Sequence, residues 1–193
     1  DTWPQISMSK VTQDRQYEDW FVYYEQERIS QLLERGVVVG EGEYYHMWNH
    51  LLREWFTLLR GWKVLQESQL EVSPSFEVEV LFDASGASVQ DGDFNRVVGS
   101  KPVLVVVVRD ALKWTDAGRE NILSEVETAM TEALSESQVS VVWGIAALGF
   151  RWIAFKKEGL ARTERLFDWR SDVLSLDSWR AMRDLADTMK QSV

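Results

Sequence analysis

Residues 101–114 read KPVLVVVVRDALKW, and from Val103 to Val108 the run is apolar without a break before it ends on Arg109 and Asp110. Four of these residues in succession are valine, a β-branched type that suits a pleated strand. Hydrophobicity at every position, where a half-buried strand would show it at alternate ones, means that both faces are covered. The stretch therefore predicts a central strand in a sheet layered on both sides. Arg109 and Asp110 stand where that strand leaves the core, one toward each face. They either solvate the strand end or mark a site of the kind that mixed α/β sheets carry at the ends of their strands.

Working outward, two further strands are expected before this one, at residues 62–70 and 76–84, with a polar Gly/Ser/Asp/Asn loop over 85–100. Tyr44, Trp48, Leu51, Leu52, Trp55, Leu58 and Leu59 recur with a 3.6-residue period and predict a helix over 41–60, stopped by Gly61. An earlier stripe from Tyr17 to Leu33 predicts another helix ending at Gly36. Beyond the valine strand, Ile122, Leu123, Val126, Ala129, Met130, Ala133 and Leu134 mark an amphipathic helix over 116–136, with Thr115 or Asp116 as its cap. Strands are expected at 139–147 and 150–156, joined by a tight turn at the Leu148–Gly149 step, and a shorter one at 164–169. A last helix follows Asp177. The order describes an α/β (α+β) fold with a mixed central sheet. It forms a single domain over 1–193, made of a helical arm (1–36), a core (41–156) and a C-terminal strand and helix extension (160–193).

The chain has 193 residues, of which 45% are apolar and 27% charged, enough for one good-sized core. Thirty-one acidic residues against 21 basic ones give a net charge of −10, a field that repels phosphate backbones and makes any nucleic-acid binding weak unless a local basic patch supplies it. There is no cysteine, which removes disulfides, thiolate zinc sites and cysteine nucleophiles, and only His46 and His50 supply imidazole. No apolar run approaches the length of a membrane span, so a membrane role is not expected. A cytoplasmic or nuclear setting is favoured, while secretion stays open, as does processing ahead of Asp1. Gly-rich phosphate loops, nucleophile elbows and kinase signatures are missing, so the enzyme classes built on them are not expected.

From Glu41 to Ala147 the expected order is αβββαβ. With PVLVVVVRD at 102–110, the helix ENILSEVETAMTEAL at 120–134 and the hairpin VVWGIAALGFRWIAF at 141–155, it resembles the core of the PD-(D/E)XK nuclease superfamily. The resemblance implies a restriction-endonuclease-like sheet on which a second-strand acid and a third-strand acid-x-lysine motif meet at one end and hold Mg²⁺. The metal would activate a water and stabilise charge on the scissile phosphate. Carried onto this chain, the second-strand acid is Asp83, and Glu54 or Glu43 is the acid of the first helix. Arg109 takes the lysine position. The third-strand acid position is then Val107, which cannot ligate a metal, and arginine stays charged where lysine can exchange a proton. The resemblance therefore implies a degenerate site in which Arg109 lies beside Asp83 and neutralises it. An active enzyme would need a rearranged acid set of Asp83, Glu79 and Asp110, with Glu77 and Glu125 nearby.

Two other groupings stand out. His46 and His50 have the i, i+4 spacing of a zinc pair but lack the glutamate of an HExxH motif, and a satisfied helix face is the plainer reading. Arg151, Lys156, Lys157 and Arg162 are interleaved with Trp152 and Phe155, as in surfaces that contact single-stranded nucleic acid, although basic residues also protect an edge hairpin. The function expected is a non-catalytic binding or assembly module with no cofactor, working through a protein partner or a second copy of itself. The alternatives are a Mg²⁺-dependent nuclease and a structural domain on an unrelated α+β fold.

Overall fold

In a computed structural model, the residues described are 40–56, 61–67, 75–89, 93–137 and 139–192, together with 24, 27, 28, 30–32, 34 and 35. The chain divides into two compact units, residues 1–39 and 40–193. In the first, Gln31 Nε2 donates to Glu27 Oε1 at 3.1 Å and the Arg35 N–H donates to the Gln31 carbonyl, both at helical spacing. Most of the expected arm helix lies outside the described residues.

The second unit is built on one six-stranded sheet whose spatial order is its chain order: β1 (Trp62–Glu67), β2 (Ser75–Asp83), β3 (Val97–Arg109), β4 (Val141–Leu148), β5 (Arg151–Glu158) and β6 (Glu164–Arg165). Every neighbouring pair is antiparallel except β3 and β4, which run parallel from Leu104↔Trp143 to Arg109↔Leu148. A parallel pair needs a crossover, and helix α2 (Asp116–Ser137) supplies it. Helices α1 (Glu41–Trp55) and α3 (Leu176–Gln191) complete the mixed α/β fold.

The valine run is covered on both sides. Val105 and Val107 of β3, Val142, Ala146 and Leu148 of β4, and Ile153 and Phe155 of β5 pack against Ile122, Val126, Met130 and Ala133 of α2. Gly144 lets α2 come close, since a Cβ there would lie 2.6 Å from Val126 Cγ1. On the opposite face, Trp152 meets Trp48 of α1 at a ring separation of 6.4 Å, and its indole N–H donates to Ser178 Oγ of α3 at 3.0 Å. Tyr45 of α1 stacks on Phe76 of β2 with ring centroids 4.3 Å apart.

Local chemistry sets the element ends. Thr115 Oγ1 accepts from the Gly118 N–H at 3.0 Å and caps α2, and Ser175 accepts from the Ser178 N–H to cap α3, which starts at Leu176, ahead of the expected Asp177. The β4–β5 turn falls on Gly149, whose φ of 62° suits glycine. Strand β3 begins at Val97, six residues earlier than expected, because Gly99 and Pro102 interrupt it between Val97–Val98 and the continuous apolar run. The missing proline donor is accommodated where the β2–β3 register shifts between Val78 and Glu79. The expected strand at 164–169 shortens to β6, although Leu166 and Arg170 still bond to β5. No helix among the described residues is long and apolar enough to cross a membrane.

Candidate functional site

The sheet end that carries Arg109 is set by register. The β2 residue opposite Val107 is Ser75, and Arg109 pairs with Leu148 of β4. Facing α2 and only 11% exposed, the Arg109 side chain is ion-paired with Glu125, and its Nη1 donates to the Val108 carbonyl at 2.6 Å. Asp110 turns instead to the backbone ahead of it, where its Oδ1 accepts from the Leu112 N–H at 2.8 Å and starts the short 3-10 turn Ala111–Lys113. The strand stops on a charged pair because one charge is satisfied by α2 and the other opens the turn leading to α2. Tyr44 of α1 lies close by, its phenol pushed up by burial and then by the Asp110 carboxylate, with Arg151 opposing.

Asp83 is not at this end, which corrects the expectation that it adjoins Arg109. Adjacent antiparallel strands end at opposite edges of a sheet, so the last residue of β2 pairs with Val97 at the start of β3. At about 3.3 Å per residue, that lies roughly 40 Å of strand from Arg109. There Asp83 organises a turn: Oδ1 accepts from the Ser85 N–H at 2.9 Å, the Ser85 hydroxyl at 2.5 Å and the Ala87 N–H at 3.3 Å. Its Oδ2 accepts from Arg96 at 2.6 Å. The Ser85 hydrogen bonds, followed by the Ala87 N–H and Arg96, hold its carboxyl below the ordinary aspartate range against the opposing effect of burial. Arg96, and not Arg109, is the cation that Asp83 meets.

The rearranged acid set is not assembled either. Glu79 accepts from Lys63 at 3.1 Å and from the Ser100 hydroxyl at 2.8 Å, while Asp110 sits at the other end of the sheet from Asp83. Asp83, Glu79 and Asp110 thus do not fit a shared Mg²⁺. Of the two helix acids, Glu43 lies in the first turn of α1 beside Tyr44, and Glu54 is roughly 16 Å further along that helix. His46 and His50 bring their rings to 4.2 Å, yet no group of three His, Cys, Asp or Glu side chains able to hold a metal occurs among the described residues.

The basic residues of β5 and its exit do not form one patch. Lys156 and Lys157 point to opposite faces. Lys156 is ion-paired with Glu158 at 2.5 Å, and that bond raises its pKa. Lys157 donates to Thr131 Oγ1 of α2 at 2.7 Å and lies 3.9 Å from Glu127. Arg162 lines an open cleft of about 660 Å³ between α2 and the β5–β6 connection, floored by Leu123, Val126 and Phe155. Arg151 lies at the far end of β5, its guanidinium carbon 4.7 Å from the centre of the Trp114 ring. Arg119 and Trp114 were missed by sequence reasoning. The signal available was a tryptophan one residue before the α2 cap and an arginine in its first turn.

No family model matches the chain, and neither a curated protein nor a solved structure matches it.

Proposed function

We propose that the chain is a non-catalytic binding or assembly module on a PD-(D/E)XK nuclease-like fold whose active site has degenerated. One observation carries this reading: Asp83, the expected second-strand acid, pairs with Val97 at the other end of β3 from Arg109, and the β2 residue opposite Val107 is Ser75. A serine hydroxyl and a valine cannot supply the charge that binds a divalent ion and activates water. Arg109 adds a fixed positive charge there and engages Glu125, the nearest acid that α2 offers. The element order αβββαβ from Glu41 to Leu148, with β4 parallel to β3 across α2, supports the fold assignment.

Such a domain keeps its scaffold because something else uses it, and with a charge of −10, which repels duplex nucleic acid, that user is the surface of a protein partner. The test is incubation of the purified protein with single- and double-stranded DNA and RNA in Mg²⁺ or Mn²⁺. The expected outcome is no cleavage above that of a Ser75→Ala, Glu125→Gln control. Cleavage that either substitution removes would overturn the reading and restore the metal-dependent nuclease.

A further inference from the structure

The cleft between α2 and the β5–β6 connection, about 660 Å³ in volume, has an apolar floor of Leu123, Val126 and Phe155 and charged walls. That volume is in the range of sites that enclose a small ligand or a short stretch of chain. One hydrogen bond sets the register of the walls: the Thr163 hydroxyl donates to Glu127 Oε1 at 3.0 Å. Arg162, the residue before Thr163, therefore stands level with Glu127 on the wall opposite α2. Glu120 lines the same cleft from α2, seven residues before Glu127, which is about 10 Å along the helix at 1.5 Å per residue.

Four charged side chains line the cleft, and two of them are engaged. Glu127 accepts from Thr163 and lies 3.9 Å from Lys157 Nζ, and Arg165 pairs with Asp168 at 3.3 Å. No ion pair or side-chain hydrogen bond engages Glu120 or Arg162 among the described residues. The cleft thus offers a carboxylate near one end, a guanidinium near the other on the facing wall, and an apolar floor between them. Its complement carries a cation and an anion about 10 Å apart around an apolar centre, the length of three residues of extended chain. In such a chain, residues three apart point to opposite sides, as the two walls require. A phosphate backbone is a poor occupant, because it would lie along Glu120 and Glu127. Leu160, two residues before Arg162, is fully exposed in the same connection, so apolar contact can continue beyond the cleft, which suits a chain better than a small molecule.

We propose that this cleft binds an extended segment of a protein partner in which a basic and an acidic residue flank two apolar ones, the basic side chain meeting Glu120 and the acidic one Arg162. The inference rests on the binding role given to the domain above and names the chemistry of the segment it takes. The two fail separately: peptides that do not bind remove the cleft's role and leave the degenerate metal site standing, whereas cleavage of nucleic acid removes the degenerate site and leaves any peptide binding in place.

The test is fluorescence anisotropy of fluorescein-labelled, end-blocked peptides titrated with the full-length protein. Each peptide carries a lysine, two residues drawn from leucine, valine and phenylalanine, a glutamate and a trailing leucine, between glycine flanks. Saturable binding of at least one peptide is expected, weakened by about tenfold or more in Arg162→Glu, where like charges are brought together. Replacing the glutamate of that peptide by lysine is expected to weaken binding to the wild type and to restore binding to Arg162→Glu, a reversal that a folding defect could not produce. Glu120→Lys should respond in the same way to a peptide whose lysine is replaced by glutamate. No saturable binding of any of these peptides to the wild type, or binding that Arg162→Glu leaves unchanged, or no restoration by the charge-reversed peptide, overturns the proposal.

Discussion

Arg109 shows how one side chain's partner decides what a site can be. Its guanidinium reaches across to Glu125 on α2, while Asp83 has Arg96 and a turn of its own at the far edge of the sheet. Groups in contact couple by about 0.5–3 kcal/mol in double-mutant cycles, and groups far apart add to within a few tenths. Arg109→Gln with Glu125→Gln should therefore show coupling in denaturant unfolding. Arg109→Gln with Asp83→Asn should be additive, and coupling there would mean that the β2–β3 register is wrong. The sequence made it plain that Val107 and Arg109 depart from an acid-x-lysine pattern. It did not make plain which β2 residue faces them, because Asp83, the acid that ends the strand, is conspicuous and Ser75 is not.

At the scale of the element, periodicity was a good guide to existence and type and a poor guide to pairing. The continuous valines announced a strand buried on both faces, and both faces are filled, by α2 on one side and by α1 and α3 on the other. Strand direction was the missing quantity. The ends of β2 and β3 look equivalent in a linear reading, but antiparallel pairing sends them to opposite edges. The basic stretch from Arg151 to Arg162 fell apart for a related reason, since a period of two puts Lys156 and Lys157 on different faces. The α2 contact with the sheet depends on one missing side chain, that of Gly144. Gly144→Ala should lower stability by about 1–3 kcal/mol, because Val126 cannot swing aside as a long side chain would. Chemical denaturation measures this, and an unchanged midpoint would show that α2 rides higher over β4.

For the whole molecule, the parallel ladder from Leu104↔Trp143 to Arg109↔Leu148 is a seam between two antiparallel meanders, β1–β3 and β4–β6. Each meander can zip from its own turns, but the seam closes only after the chain has looped out through α2, and long loops delay pairing. Until then β3 is an open edge with an apolar run of six residues, the kind of template that recruits another chain. Pulse-labelling hydrogen exchange during refolding should find the β4–β5 hairpin amides protected before those that bridge β3 and β4, and simultaneous protection would argue against two zones. During synthesis the exposed run Val103–Val108 must wait for the following forty residues to emerge before its permanent neighbour exists. The interval in which this protein is most in need of a chaperone is thus written into its topology, between the completion of one half-sheet and the arrival of the next.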